Sequence, residues 1–253
     1  MQPSLRSPTQ NQLLLALCGE ERARLGLKLQ CAALSLGQVL REPGRPIEHV
    51  YFPTSSVISF LYTMQDGSTA EMGLVGNDGV AGIEVFLGGQ TTPHRAVVQI
   101  AGEAWRIPAT LFQGEVARSA SMERILLRYT QALLTQISQT AVCNRLHCMA
   151  QRLCRWLLMC HDRVNHTELP MTQELLASVL GGRRESVTVA AGHLQDAGII
   201  HYHRGHIRIL DRKMLEESAC ECYRTVKDET DRLLGGDSAD ATRSFEQPDE
   251  ERS

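Results

Sequence analysis

The chain has 253 residues, a formal net charge of −3 and 43% hydrophobic residues, enough for one large domain or two ordinary ones with separate cores. No apolar run approaches the roughly twenty residues of a bilayer span, and the N-terminus lacks the basic and apolar regions of an export signal, so a cytoplasmic protein without membrane contact is expected. The eight cysteines are accordingly read as reduced thiols and not as a disulfide framework.

Charge is unevenly placed. Residues 1–143 carry eleven basic and eleven acidic side chains, residues 144–214 carry ten and six, and residues 215–253 carry five and twelve. Seven of the nine histidines also fall in the basic block. A basic block between a neutral and an acidic one suits a nucleic-acid contact confined to one region.

In chain order, residues 1–10 are polar with two prolines and are expected to be disordered. Leu13, Leu14, Leu17, Leu25 and Leu27 predict one or two short helices, broken near Gly19. From Gln30 to about Pro108 short runs such as HVYF, VISFLYTM, AEMGLV and AVVQI are separated by Pro43-Gly44, Asp66-Gly67, Asp78-Gly79 and Gly88-Gly89. Short, evenly punctuated strands of this kind predict a jelly roll or similar double sheet, with a hairpin at Asp66-Gly67. The period then turns helical: Met122, Ile125, Leu126, Tyr129, Leu133, Ile137 and Ala141 form one apolar stripe. A further helix over residues 145–160 points Leu146, Met149, Leu153, Trp156, Leu157 and Cys160 inward and Arg145, Arg152 and Arg155 outward.

After a polar connection ending at Pro170, Thr172 is placed to cap a helix. Leu175, Leu176, Val179 and Leu180 form the stripe of that helix, and Val187, Ala190, Ala191 and Leu194 form the stripe of the next. Between them Gly181-Gly182 permits a sharp turn, which makes a helix-turn-helix. Arg183, Arg184, Glu185, Ser186, Thr188 and Val189 stay outside on the first two turns of the second helix, the part that would enter a major groove. Gly198 ends that helix, and IIHYHRGHIRIL predicts a hairpin turning at Arg204-Gly205, with His203, Arg204 and His206 at its tip to meet phosphates and Arg208 further along. A final helix is expected from Arg212 to about Leu234, packed against the preceding domain. Residues 235–253 are expected to be a disordered acidic tail.

The run Gly181-Gly182-Arg183-Arg184-Glu185-Ser186-Val187, with the hairpin after it, resembles the winged helix-turn-helix of the CRP/FNR family of bacterial transcription regulators. The likeness extends more loosely over about residues 30–215. It implies an α+β protein with an N-terminal β-roll sensor domain of cyclic-nucleotide-binding type (11–115), a connecting dimerisation helix (116–143) and a C-terminal winged helix-turn-helix domain (144–234). It further implies a homodimer on double-stranded DNA, RNA polymerase as a partner, and a small-molecule effector of unknown identity. In the family an Arg and a Glu of this segment read bases, corresponding to Arg184 and Glu185. A further base-reading Arg falls at Val189, so the operator is expected to differ. The DNA-contacting set is therefore Thr172, Arg183, Arg184, Glu185, Ser186, Thr188, Val189, His203, Arg204 and His206.

In nucleotide-binding members a Gly-Glu pair meets the ribose, and an Arg followed by a small residue meets the phosphate. Arg95-Ala96 matches the second half. Gly82-Ile83 is the best match to the first, with its carboxylate missing unless Glu84 substitutes by a one-residue shift. Gly82, Glu84, Arg95 and Ala96 are thus the candidate effector residues, and the missing carboxylate argues against a cyclic nucleotide.

The oxygen sensors of the family hold an iron–sulfur cluster on closely spaced N-terminal thiolates, but only Cys18 and Cys31 lie there. Cys143, His147 and Cys148 could share a helix face, and Cys220 and Cys222 are near in sequence. Helical side chains two residues apart diverge by about 200°, however. The cysteines are therefore read as buried structural residues, with no metal and no cofactor expected. A metal- or thiol-based redox sensor of the same architecture is the alternative, and a small-molecule binder without DNA activity is a more remote one. The chain has no Walker loop, GxSxG elbow or HExxH pair, which leaves no enzymatic reading.

Overall fold

A computed structural model describes residues 10–164 and 168–235. The segments expected to be disordered, 1–10 and 235–253, lie outside it apart from Gln10 and Gly235. The described chain opens with α1 (Gln12–Ala16) and α2 (Gly19–Gly26). Buried Asn11 starts α1: its carboxamide oxygen accepts from the Leu13 and Leu14 N–H groups, and its NH2 donates to the Pro53 and Gly79 carbonyls. A cap that also ties two loops together anchors the N-terminal helix to the domain behind it.

Strands follow as β1 (Gln30–Leu34), β2 (Val39–Arg41), β3 (His49–Pro53), β4 (Val57–Thr63), β5 (Thr69–Val75), β6 (Arg95–Ile100) and β7 (Gly102–Pro108). They form two antiparallel sheets, one ordered β1-β7-β3 and the other β2-β6-β4-β5, as the expected double sheet requires. The β4–β5 hairpin turns at Asp66-Gly67, where the Asp66 carboxylate accepts from the Ser68 N–H and hydroxyl. Helix α3 (Ala109–Val116) leads into the 27-residue helix α4 (Ala120–Leu146), capped by the Ser119 hydroxyl.

The apolar stripe of α4 packs on its own chain. Met122, Leu126, Tyr129 and Leu133 are buried in the sensor core with Phe52, Phe60 and Phe112, and Ile125 and Ile137 pack against it. Buried Gln136 lies in the same face and accepts from the Leu74 N–H of β5 at 2.8 Å. Of the residues in that stripe only Ala141 is exposed. A second set lies bare on the other side: Leu127 and Leu134 are 52% and 59% exposed, and with Ala141 they recur every seven residues.

The chain then breaks at His147-Cys148 and forms α5 (Met149–His161), β8 (Glu168–Pro170), α6 (Gln173–Leu180), α7 (Arg184–Asp196), β9 (Ile200–His203), β10 (His206–Ile209), α8 (Arg212–Ser218) and α9 (Cys222–Leu234). Three expectations change here. The helix expected over residues 145–160 starts only at Met149, which leaves Leu146 exposed at the end of α4 and Arg155 buried, the reverse of the inward and outward placement expected of them. The connection before Pro170 ends in β8, which pairs with β10, so the hairpin is a three-stranded sheet ordered β8-β10-β9. The single final helix is two helices, because Ala219 takes an extended backbone after α8. The second of them lies mainly along α4 and only partly on the preceding domain, with Tyr223 in the C-terminal core and Leu234 against the N-terminal one.

The two halves are packed together across the four-stranded sheet. Alternation along β4 sends Ile58 and Phe60 into the N-terminal core, while Val57, with Leu74 and Ile100 from β5 and β6, joins Leu153, Trp156 and Leu157 of α5. Polar links accompany this contact. Arg163 donates to Asp78, with its closest approach at 2.6 Å, and the hydroxyls of Thr69 and Ser178 share a hydrogen bond. Buried Glu71 accepts from the Ser59 hydroxyl and, at 2.9 Å, from the Trp156 indole N–H. Burial pushes its carboxyl up to about 7 although the Ser59 and Trp156 hydrogen bonds and the charges of Arg155 and Arg163 oppose the rise.

Because the folded pKa is raised, the protonated form is the one the fold favours; its contribution is complete below the unfolded value and is lost as pH rises through about 7. The melting temperature should therefore fall between about pH 6 and about pH 8 by a component that Glu71→Gln removes, since the amide keeps an acceptor for Trp156. Parallel melting series on the two proteins check this; identical slopes would contradict it.

Candidate nucleic-acid interface and sensor cavity

The turn between α6 and α7 depends on Gly181, which takes a left-handed backbone (φ 58°) that closes α6 without a β-carbon penalty. The Thr172 hydroxyl accepts from the Leu175 N–H at 3.1 Å and caps the start of α6. On α7, Val187, Ala190, Ala191 and Leu194 are buried. Arg183, Arg184, Glu185, Ser186, Thr188 and Val189 are all exposed, so the polar face expected of a reading helix is present on its first two turns. The Thr188 hydroxyl donates back to the Arg184 carbonyl at 2.9 Å.

The wing turns where expected. Arg204 (φ 47°) and Gly205 (φ 79°) both have positive φ between β9 and β10, the pattern of a two-residue hairpin turn matched to strand twist. Arg204 is the one non-glycine residue with positive φ among the described residues, and the turn holds its side chain at the tip. His203, Arg204 and His206 are exposed, and the His201 and His203 rings lie nearly parallel, 6.1 Å apart. Glu168 on β8 approaches His206 at 3.8 Å and Arg208 at 3.9 Å, which partly offsets the Arg208 charge.

Wing and reading helix meet in a concavity of about 370 Å3 lined by Thr172, Gln173, Arg184, Tyr202, Arg204 and Gly205. Arg184 Nε lies 3.5 Å from Gln173 Oε1, so Gln173 positions the guanidinium. Gln173 and Tyr202 were not among the expected contacts. Gln173 follows the capping threonine and could have been found from that position, whereas nothing local marks Tyr202.

In the N-terminal half a cavity of about 430 Å3 opens between β2, β3 and the loop at Ala81-Gly82. Of the four candidate effector residues Gly82 and Ala96 line it, and Glu84 and Arg95 do not. Arg95 turns to Glu42 at 2.9 Å on the surface. Glu84 is held by Arg41 at 3.2 Å and His94 at 3.1 Å. Burial acts to raise the Glu84 carboxyl, but the His94 hydrogen bond and the Arg41 charge outweigh it and hold the group below the ordinary carboxylate range. Glu84 and Arg95, the carboxylate and the guanidinium of the candidate effector set, therefore do not line the cavity together with Gly82 and Ala96. The Glu84 carboxylate neutralises buried Arg41.

Two known families match the chain: the cyclic nucleotide-binding domain over residues 33–119 and the Crp-like helix-turn-helix domain over residues 151–218. The chain belongs to the CRP/FNR family. It is similar to the global nitrogen regulator of Synechococcus elongatus, at 21% identity over 200 residues that cover 76% of this chain and 90% of that one. Among solved structures it superposes on FixK2 from Bradyrhizobium japonicum with a TM-score of 0.65 at 16% identity, covering 76% of this chain and 98% of that one. A CRP/FNR-family regulator from Eubacterium rectale gives 0.63 at 17%, covering 85% and 99%. As a CRP/FNR protein the chain is a transcription regulator with a DNA-binding helix-turn-helix domain and a sensor domain.

One expectation drawn from this CRP/FNR chain's sequence is overturned. Cys220 and Cys222 are not on one helix, because Cys220 precedes α9, and the 200° divergence does not apply. Cys143, His147, Cys220 and Cys222 meet, with all their ligand-type atoms within 4.8 Å of one another. Cys148, expected on the same helix face, is exposed and apart from them.

Removing the Thr172 hydroxyl leaves one N–H of α6 unpaired, so Thr172→Ala should cost about 1 kcal/mol while Thr172→Ser costs a small fraction of that. Denaturant unfolding of the three proteins at constant m-value measures it.

Proposed function

We propose that this regulator binds a pseudo-palindromic operator as a homodimer and that its N-terminal domain responds to a signal other than a cyclic nucleotide. The observation that carries the DNA reading is the continuous exposed surface formed by the first two turns of α7 and the Arg204 turn around one concavity. On this reading Arg184, with Arg183 beside it, donates to guanine or phosphate and Glu185 accepts from cytosine. Ser186 and Thr188 contact backbone or bases, and Val189 offers apolar contact. Thr172 sits at the rim, and His203, Arg204 and His206 meet phosphates, adding affinity without sequence information.

Dimerisation is supported by α4. Leu127, Leu134 and Ala141 form an exposed seam at the seven-residue spacing by which two helices pack side by side. Two readers related by a twofold axis would meet successive major grooves about 34 Å apart. The domains act as sensor (11–115), connecting helix (116–143) and reader (144–234). The protein works in the cytoplasm; no helix among the described residues is long and apolar enough to cross a membrane. The family resemblance is what supports RNA polymerase as a further partner, and it assigns the chain no enzymatic role.

The signal reading rests on the sensor cavity. Of the two arginines that line it, Arg41 is already paired with Glu84 and His94 and Arg45 is exposed, while Arg95 is paired with Glu42. A cyclic phosphate would have to compete with those partners. Titration calorimetry with cyclic AMP and cyclic GMP should give no saturable heat, and micromolar binding of either would overturn this part.

For the DNA reading, Arg184→Ala should cost about 1–3 kcal/mol and relax preference at one base pair, whereas Arg204→Ala should weaken all sequences alike and lower the salt dependence. Binding curves on a selected operator and its single-base variants at several salt concentrations separate the two. Leu127→Asp with Leu134→Asp should leave the fold intact, since both side chains are exposed, and give a monomer by sedimentation. A double variant that stays dimeric would move the interface elsewhere.

A further inference from the structure

We propose that Cys143, His147, Cys220 and Cys222 bind one zinc ion that pins the start of α9 to the end of α4. The donor set is three thiols and one imidazole, the Cys3His composition of closed structural zinc sites. Cys143 lies in the last turn of α4 and His147 caps that helix, its backbone N–H donating to the Cys143 carbonyl at 3.1 Å. Cys220 lies ahead of α9 and Cys222 begins it, so both approach from the facing element. Cys143, Cys220 and Cys222 are buried, and the His147 side chain is 12% exposed.

The spacing fits a single metal ion. A tetrahedral zinc with Zn–S bonds of about 2.3 Å holds its sulfurs about 3.7–3.8 Å apart. Cys143 Sγ and Cys220 Sγ are 3.5 Å apart, and Cys222 Sγ and His147 Nδ1 are 3.6 Å apart. All four atoms lie within 4.8 Å of one another. An iron–sulfur cluster would demand a wider set, because each thiolate there ligates a different iron or a different edge of the cluster.

Three features around the ligands suit a charged metal complex better than a packed thiol cluster. The Glu221 carboxylate lies 3.3 Å from His147 Nε2. It can accept the Nε2–H and so present Nδ1, the atom beside Cys222, as the ligand, which is the carboxylate–histidine–metal arrangement. Three thiolates on a divalent ion leave a net charge of −1, and buried Arg155 acts electrostatically on both Cys143 and Cys222. Buried Arg155, which donates to the Thr140 hydroxyl through its NH2 group, and half-buried Arg152 each keep an Nε without a hydrogen-bond partner beside the cluster. Binding would displace the protons the thiols still carry, and no oxidant is required.

The site joins elements far apart in sequence, at the one place where α4 ends and the chain turns into the reader domain. Closing it would fix α9 along α4. The inference stands on the ligand geometry and is independent of the DNA reading.

The full-length protein, made in zinc-containing medium and purified without chelator under reducing conditions, should carry one zinc per chain by elemental analysis. After chelator stripping, cobalt(II) should bind one to one, with the intense visible bands of a tetrahedral site and thiolate-to-cobalt charge transfer. Cys222→Ser and His147→Ala should lose those bands, and Cys148→Ser should keep them. Glu221→Gln should bind zinc about ten- to a hundredfold more weakly. Removing zinc from the wild type should raise amide exchange in residues 222–234. Protein purified without stoichiometric metal that also fails to give the cobalt spectrum would overturn the site, as would a Cys143–Cys220 disulfide in freshly prepared reduced protein. Stoichiometric zinc with unchanged exchange along α9 would overturn the pinning role. The wild-type cobalt titration and exchange stand even where a variant fails to fold.

Discussion

The two-sided packing of α4 is the constraint on which the rest of the structure depends. A helix of 27 residues is about 40 Å long, far more than one small domain needs to close its core. Its inner face is used up by its own chain: Met122, Leu126, Tyr129 and Leu133 complete the N-terminal core. Rotation about the helix axis is fixed by a polar contact, since Gln136 must keep facing the Leu74 N–H of β5 or leave two buried groups unpaired. Once that face is fixed, Leu127, Leu134 and Ala141 are left pointing away, and the Cys143 end is left facing α9. The seam available to a second chain is thus a consequence of how the first chain packs.

The same economy applies between the halves. The four-stranded sheet is covered on both faces, by the N-terminal core and by α5, so the reader is seated on strands of the sensor. Apolar residues such as Val57, Leu74 and Ile100 supply adhesion, and Glu71, Asp78 and Thr69 supply direction through Trp156, Arg163 and Ser178. Gly181, the residue that sets the turn before the reading helix, lies with its implied β-carbon 3.6 Å from Ala70 on β5. A displacement of the β4–β5 hairpin would therefore be felt at the helix-turn-helix through contact, with no long pathway needed. Coupling of sensor to reader requires only that the signal favour one position of that hairpin over another.

What was legible in the sequence was local. Thr172 before an apolar run, Gly181 after one and Arg204-Gly205 between two strands each determine a cap or a turn within a few residues, and each is found where the spacing predicts. The exposed face of α7 follows from helical period alone. What was not legible involved partners chosen at a distance. The stripe on α4 was visible, but periodicity does not say which surface covers it, and the seven-residue seam beside it is diluted by Gln131 and Ser138. The run VISFL on β4 lacks clean alternation because both faces are buried, a signal that could have announced the second layer. The thiol cluster was missed because the break at Ala219 was missed: on one continuous helix Cys220 and Cys222 diverge, and across a break they converge.

Val189 bears on specificity more than any charged neighbour. It is 56% exposed on α7, five residues on from Arg184, where the family resemblance calls for a base-reading arginine. An apolar side chain there donates no hydrogen bond, so on the proposed reading one base pair of each half-site loses the bidentate contact that would have demanded guanine. A branched hydrocarbon in the major groove does better against a thymine methyl than against an exposed amino or carbonyl edge. The half-site should then keep strong discrimination opposite Arg184 and Glu185 and weaker, methyl-dependent discrimination opposite Val189. On the same reading the remaining affinity comes from phosphate contacts, made at the wing whose tip is the positive-φ turn at Arg204.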